Sequence, residues 1–156
     1  MQKTNVIRML DKAKITYTTV TYEVDESDLS GVHIADTIGQ STDKVFKTLV
    51  TKGDKTGFCV FCIPCDKELD LKKAANLTGD KKIEFLHVKD LLKTTGYIRG
   101  GCSPIGMKKA FPTYINASAF DHSEIMVSGG LRGLQIVISP KDLVGFTGAV
   151  SADLIR

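Results

Sequence analysis

Apolar residues at helical spacing open the chain. Val6, Ile7, Leu10 and Ala13 share one face, predicting an amphipathic helix over about residues 4–13. Residues 15–22, rich in Thr, Tyr and Val, predict a strand. A polar stretch at Asp25, Glu26, Ser27 and Asp28 leads to a short helix near residues 32–38, closed by Gly39. Ser41 or Thr42 then caps a turn of helix, and the alternating segment Val45-Phe46-Lys47-Thr48-Leu49-Val50 follows as a strand. Gly53-Asp54-Lys55-Thr56-Gly57 reads as a hairpin turn into the apolar run Phe58-Cys59-Val60-Phe61-Cys62-Ile63. Asp70 caps a helix that runs to Leu77 and ends at Gly79. A short strand at residues 83–86, a short helix at 88–93 and strands at 124–127 and 134–138 come next. Ser139-Pro140 begins a last helix, with proline in its first turn.

Strands and helices mix without a regular βαβ beat, which predicts an α+β fold around a mixed sheet. With no internal repeat, low-complexity stretch or linker, residues 1–156 read as one domain. Within the segment 45–50, Lys47 shares a face with Val45 and Leu49, while Phe46, Thr48 and Val50 take the other. Apolar residues on both faces predict a strand covered on both sides. An ammonium there must find a partner, snorkel to water or serve a site.

Composition narrows the field. A hydrophobic content of 42% and a charged content of 25% over 156 residues fit a globular domain with a real core. The net charge of +3, with an isoelectric point near 8.6, permits contact with a polyanion without driving tight nucleic-acid binding unaided. No run approaches the ~18 apolar residues of a membrane span, and the N-terminus lacks a signal-peptide block. The expectation is a cytoplasmic protein with no membrane contact.

Candidate chemistry is sparse. Cys59, Cys62 and Cys65 have a spacing that suggests metal ligation, yet on a strand Cys59 and Cys62 point to opposite faces. His33, His87 and His122 are scattered and complete no ligand set, so no metal site is expected. The loop Gly96-Tyr97-Ile98-Arg99-Gly100-Gly101-Cys102-Ser103-Pro104-Ile105-Gly106-Met107-Lys108 has P-loop-like glycine spacing, but it lacks the Lys-Ser/Thr pair of a nucleotide site. Cys102 has no His or Asp beside it in sequence, and no triad signature is recognisable. In Val127-Ser128-Gly129-Gly130-Leu131-Arg132-Gly133, the Gly-Gly turn supplies either an anion-binding nest near Ser128 and Arg132 or an ordinary hairpin. If the chain is an enzyme, its reaction asks little of its own side chains.

Taken in order, the motifs are Val20-Thr21-Tyr22, Phe46-Lys47-Thr48-Leu49, Leu69-Asp70-Leu71-Lys72-Lys73 and Thr95-Gly96-Tyr97, then Gly100-Gly101-x-Ser103-Pro104-x-Gly106 and Val127-Ser128-Gly129-Gly130-x-Arg132-Gly133. This set closely resembles the YbaK/EbsC family of Cys-tRNA(Pro) deacylases, from about residue 4 to the C-terminus. The resemblance implies a mixed, barrel-like sheet of six or seven strands with surrounding helices. It also implies editing in trans: removal of cysteine wrongly attached to tRNA(Pro), with Cys-tRNA(Cys) as a further expected substrate. The family's essential lysine falls on Lys47, its neighbouring threonine on Thr48, its strand tyrosine on Tyr22, the first glycine of the Gly-Gly loop on Gly100 and the second loop's serine on Ser128.

Lys47 and Gly100 are thus the expected catalytic positions. Lys47 would be a fixed positive charge on the terminal phosphate–ribose or on the developing oxyanion. Gly100 and Gly101 would allow close backbone approach, and Tyr22, Thr48 and Ser128 would orient the substrate, with Gly129 and Arg132 beside them. Ser30 stands where better-known bacterial members carry phenylalanine, Gln135 at a position polar or acidic in the family, and Cys102 where a small or apolar residue is usual. Ser30 and Gln135 should therefore bear on substrate range at the pocket rim. In the family mechanism the substrate's thiol attacks its own ester carbonyl, releasing a thiolactone and free tRNA, so no cofactor is required. The 3′ end of tRNA(Pro) and prolyl-tRNA synthetase, in a ternary complex, are the implied partners. Two alternatives compete: editing of another small amino acid such as alanine, which needs an activated water, and a non-catalytic tRNA- or protein-binding module.

Overall fold

The computed structural model describes residues 3–156. Helix α1 (Asn5–Lys12) starts at Thr4, whose hydroxyl accepts from the Ile7 N–H, and it buries Val6, Ile7 and Leu10. Lys14 takes a left-handed φ of 57°, and the Ile15 N–H bonds back to Leu10 O. That closure spends residues 13–15 on the helix end, so strand β1 is shorter than predicted, Thr18–Thr21. Helix α2 (Gly31–Ile38) is capped by the Ser30 hydroxyl and ends at Gly39 as predicted. Residues 42–44 form a turn and not a turn of helix.

Strands β2 (Phe46–Gly53) and β3 (Gly57–Pro64) form the long central hairpin. Helix α3 (Leu71–Thr78) follows its Asp70 cap, then come strand β4 (Ile83–Phe85) and helix α4 (Val88–Thr95). Strand β5 (Thr113–Asn116), which the periodicity did not predict, precedes a short 3-10 turn at Ala117–Asp121. Strands β6 (Ile125–Ser128) and β7 (Leu134–Ile138) form a second hairpin. Helix α5 (Pro140–Thr147) starts at Ser139, and a final strand β8 (Val150–Ala152), also not predicted, ends the order.

The strands make two sheets, one of three in the order β1-β7-β6 and one of five in the order β4-β2-β3-β5-β8. The larger sheet is mixed, because β5 runs parallel to both β3 and β8. The count is therefore eight strands instead of six or seven, and no closed barrel is found among the described residues. A parallel bridge from Val45 to Met126 ties the two sheets together. One apolar cluster packs α1 and α5 with β6, β7 and the Phe46–Val60–Cys62 face of the hairpin. Another puts Cys59, Phe61 and Ile63 against α3. Cys59 and Cys62 thus lie on opposite faces, as strand alternation requires.

Candidate active site

Strand β2 is unevenly flanked. One edge pairs with β3 from Phe46 to Gly53. On the other edge β4 covers only Thr51 to Gly53, and β6 reaches only Val45. The Leu86 N–H donates to Val50 O (3.0 Å) and the Met126 N–H to Lys44 O (2.9 Å), which seals the two ends of that edge. Between them, Lys47, Thr48 and Leu49 have a strand neighbour on the β3 side alone. A cavity of about 310 Å³ opens at this gap, near the lower limit of ligand pockets.

Its walls come from six parts of the chain, one of them Cys65 just after β3. Leu29, Ser30 and Gly31 enter from the start of α2, and Lys47 and Thr48 from β2. Arg99, Gly100 and Cys102 come from the loop after α4, Ser128 from the end of β6 and Gln135 from β7. Ser30, Lys47, Thr48, Gly100, Ser128 and Gln135 are thereby gathered in one place, although they are scattered along the sequence.

The other residues singled out from sequence do not line the cavity. Tyr22, at the end of β1, donates its N–H to Gly133 O (3.0 Å). Gly101 is buried, and a Cβ there would come within 3.2 Å of the Arg132 nitrogen. Gly129 donates to Leu134 O (2.9 Å) and accepts from the Thr4 hydroxyl (2.7 Å). A Cβ on Gly129 would press to 2.7 Å from the Leu134 side chain, so close packing accounts for this glycine. Arg132 Nε donates to Arg99 O at 2.8 Å, which places it behind the wall.

Within the cavity the polar groups fall into two sets. The Ser30 hydroxyl accepts from the His33 N–H (3.2 Å) and the Ser128 hydroxyl from the Gly130 N–H (3.2 Å), so both also hold local structure. Thr48 Oγ1 and Gln135 Oε1 are buried and have no hydrogen-bond partner, although Gln135 is only 4% exposed. The Cys62 thiol, opposite Thr48 across the hairpin, is within reach of its hydroxyl, but a thiol is a weak partner. Buried polar groups are nearly always satisfied, so two orphans facing one cavity mark it as a place where a ligand completes the bonding. Lys47 is half-buried and forms no ion pair or hydrogen bond among the described residues.

Gly100 carries a φ of 85° at the cavity mouth. Gly101 N donates to Ile98 O (3.0 Å), which makes Arg99 and Gly100 the centre of a tight turn with glycine at its positive-φ position. A Cβ on Gly100 would also meet Arg132 Nε at 3.3 Å and Leu29 Cδ2 at 3.4 Å.

The charge pattern is one-sided. Lys47 and Arg99 line the cavity, and no Asp, Glu or His does. Burial pushes the Cys65 thiol up to about 11, with Asp66 adding to the shift and the Lys47 charge opposing it. Burial likewise pushes the Cys102 thiol up to about 12. Both thiols in the cavity are therefore protonated, and so poor nucleophiles, at neutral pH. Arg99 and Cys65 escaped the sequence reading. Arg99 could have been noticed as the cation directly before the Gly-Gly pair, whereas nothing local marks Cys65 as a wall residue.

Residues 30–146 match the family model described as the aminoacyl-tRNA editing domain. The chain belongs to that family. A protein of Enterococcus faecalis, provisionally named Cys-tRNA(Pro)/Cys-tRNA(Cys) deacylase EbsC, is 49% identical over 98% of this chain and 93% of its own length. A proline–tRNA ligase of Fervidobacterium nodosum is 35% identical over 48% of this chain, a stretch that is 13% of the ligase. A crystal structure provisionally described as a trans-editing enzyme for prolyl-tRNA synthetase superposes with a TM-score of 0.82 at 24% identity, covering 99% of each chain. That likeness extends the editing-domain fold over α1 and β8, which lie outside the residues matched by the family model. No helix among the described residues is long and apolar enough to cross a membrane.

Proposed function

We propose that this editing domain, acting as one unit over residues 1–156, removes cysteine from Cys-tRNA(Pro), and also from Cys-tRNA(Cys), using the substrate's own thiol. One observation carries the reading: the cavity offers an unpaired cation and unsatisfied polar groups, but no carboxylate, imidazole or ionised thiol of its own. A water-based hydrolysis would call for a general base there. The substrate thiol needs only to be held against its ester.

The step balances without a protein nucleophile. The substrate thiol gives its proton to solvent, and its sulfur forms a bond to the ester carbonyl carbon. The carbon–oxygen bond to the ribose then breaks, and the leaving ribose oxygen takes up a proton. The products are a cysteine thiolactone and free tRNA. Holding sulfur and carbonyl together converts binding into rate, because the attack is intramolecular. Lys47 supplies fixed positive charge at the oxyanion or at the terminal phosphate–ribose, in a site partly shielded from water. Gly100 lets the backbone approach, while Thr48, Ser128 and Gln135 orient the amino acid and Ser30 borders the mouth. Tyr22, Gly101, Gly129 and Arg132 act from behind as supports.

A cavity of about 310 Å³ holds an aminoacyl ribose and leaves the rest of the tRNA outside. Selection of tRNA(Pro) then falls to a partner, prolyl-tRNA synthetase, bound to the same tRNA in the cytoplasm. The decisive assay follows release of amino acid from Cys-tRNA(Pro) and Ala-tRNA(Pro), with the product identified by mass. Loss of cysteine alone, as the thiolactone, is expected. Equal loss of alanine would replace the thiol mechanism with water attack, and no loss of either, with tRNA still bound, would leave a binding module.

A further inference from the structure

The glycine loop presents a cation that the reaction above does not use. Arg99 is exposed and borders the same cavity as Lys47, from a different part of the chain. No carboxylate pairs with Lys47, Arg99 or Arg132 among the described residues, whereas Arg156 at the far end of the chain is paired to Glu68 (3.2 Å). The loop bearing Arg99 is braced. Gly101 N bonds Ile98 O across the turn, Ile105 N bonds the Ser103 hydroxyl (3.2 Å), and the buried Tyr97 hydroxyl donates to Ile105 O. Arg132 Nε, reaching from the turn between β6 and β7, then holds the central peptide of the turn by its Arg99 carbonyl at 2.8 Å. A guanidinium on a fixed turn, without a counter-ion and beside a cavity sized for an aminoacyl ribose, is matched by a phosphodiester in geometry and charge.

We propose that Arg99 binds a backbone phosphate of the RNA 3′ end just outside the cavity, and that Arg132 is a positioning residue acting through the Arg99–Gly100 peptide. The proposal rests on the editing reading for its substrate class and adds the second point of attachment. Lys47 and Arg99, both bordering the cavity, then hold the acceptor end at two points. The contact reads backbone and not base, so it adds affinity for any acceptor end and no preference for tRNA(Pro).

The test is steady-state deacylation of Cys-tRNA(Pro) at several salt concentrations by wild type, R99A, R99K, R132A and the double variant R99A/R132A. R99A is expected to raise KM roughly 3- to 10-fold, as befits an exposed charge-assisted contact, with the loss confined to KM. It should also flatten the dependence of log kcat/KM on log salt by about 0.7, the value for one single-strand phosphate contact. R99K should keep most of the salt slope while losing part of the affinity. R132A should flatten the slope alone but not further in the R99A background. An R99A enzyme with wild-type KM and slope overturns the phosphate contact, and a further flattening in the double variant overturns the positioning role. If wild type deacylates no aminoacyl-tRNA, the editing reading fails separately. Binding of an uncharged RNA oligonucleotide ending in CCA then decides this proposal, and equal affinity of wild type and R99A overturns it.

Discussion

At one end of β2, the buried carboxylate of Asp80 fastens the hairpin turn. Its Oδ1 accepts from the backbone N–H groups of Lys55 and Thr56 (2.8 Å each), and its Oδ2 from the hydroxyls of Thr56 (2.5 Å) and Thr78 (2.6 Å). Gly53 is there because a Cβ would lie 2.2 Å from that carboxylate. At the other end of the same strand, Lys47 has no ion-pair or hydrogen-bond partner among the described residues, and the buried Thr48 Oγ1 has only the weak Cys62 thiol near it. Both ends carry polar groups that a core would not tolerate bare. The first is satisfied from within and stabilises; the second is left open, and on the proposed reading the substrate completes it. Satisfaction, more than polarity or burial, then separates the structural charge from the one proposed to act on substrate.

The largest effect that sharpens this contrast is expected from K47M, which keeps the apolar stem and removes the charge. Single-turnover deacylation of Cys-tRNA(Pro) should fall by roughly 100- to 1,000-fold, the range for losing a preorganised electrostatic contact. The melting temperature should hardly move, since no hydrogen bond or ion pair among the described residues depends on the ammonium. A large drop in stability with activity intact would make Lys47 a structural residue and break the comparison.

D80A should do the reverse. It leaves two N–H groups without their acceptor and takes from two hydroxyls their shortest bonds, so thermal unfolding should shift down by roughly 5–10 °C. Activity measured well below that transition should persist. Hydrogen bonds from the Thr56 and Thr78 hydroxyls, with the backbone N–H groups, hold the Asp80 carboxyl well below the usual carboxylate range. Its stabilisation is therefore fully present above the unfolded value of about 3.9 and is lost as pH falls below it. Acid titration of stability should be shallower in D80A than in wild type.

Sequence and structure agree best where a rule acts locally. The Asp70 cap, the Gly79 stop and the Ser139-Pro140 start are each settled within one turn of helix, and each appears where its residues predict. β5 and β8 were illegible because no tight turn joins either to its neighbour and their parallel partners are brought by the topology. Lys47 was legible as a charge inside an alternating apolar run. Arg99 was not, because its position at the mouth depends on the hold of Arg132, far along the chain. The glycines show the limit most clearly. Gly100 shapes the mouth and Gly129 makes room for Leu134, yet both look alike in a Gly-Gly pair.

A smaller effect tests the orphan at the functional end directly. T48V replaces the unbonded hydroxyl by a methyl of similar size. Removing a buried unsatisfied group should stabilise the fold by about 1 kcal/mol, or roughly 2–4 °C in melting temperature, while kcat/KM for Cys-tRNA(Pro) falls about 10-fold. A stability loss instead would mean that the hydroxyl is satisfied by the Cys62 thiol across the hairpin, and Thr48 would move to the structural side of the comparison.

At neutral pH the smallest effect lies with the cavity thiols; it emerges only in alkali and runs opposite to Asp80 in pH. Burial pushes Cys102 up to about 12, so its folded state holds a proton that the unfolded chain releases near the ordinary value of 9.0. The stabilisation is complete below about 9 and is lost as pH rises from there toward the folded value, by at most about 1.4 kcal/mol per pH unit for one group. C102A should therefore flatten the alkaline decline measured by denaturant unfolding between about pH 9 and 11, with the acid side unchanged. An unaltered alkaline slope would show that the thiol ionises in place, as a water-filled mouth would allow. The cavity would then hold a nucleophile after all, and the case for chemistry supplied by the substrate thiol would weaken at its base.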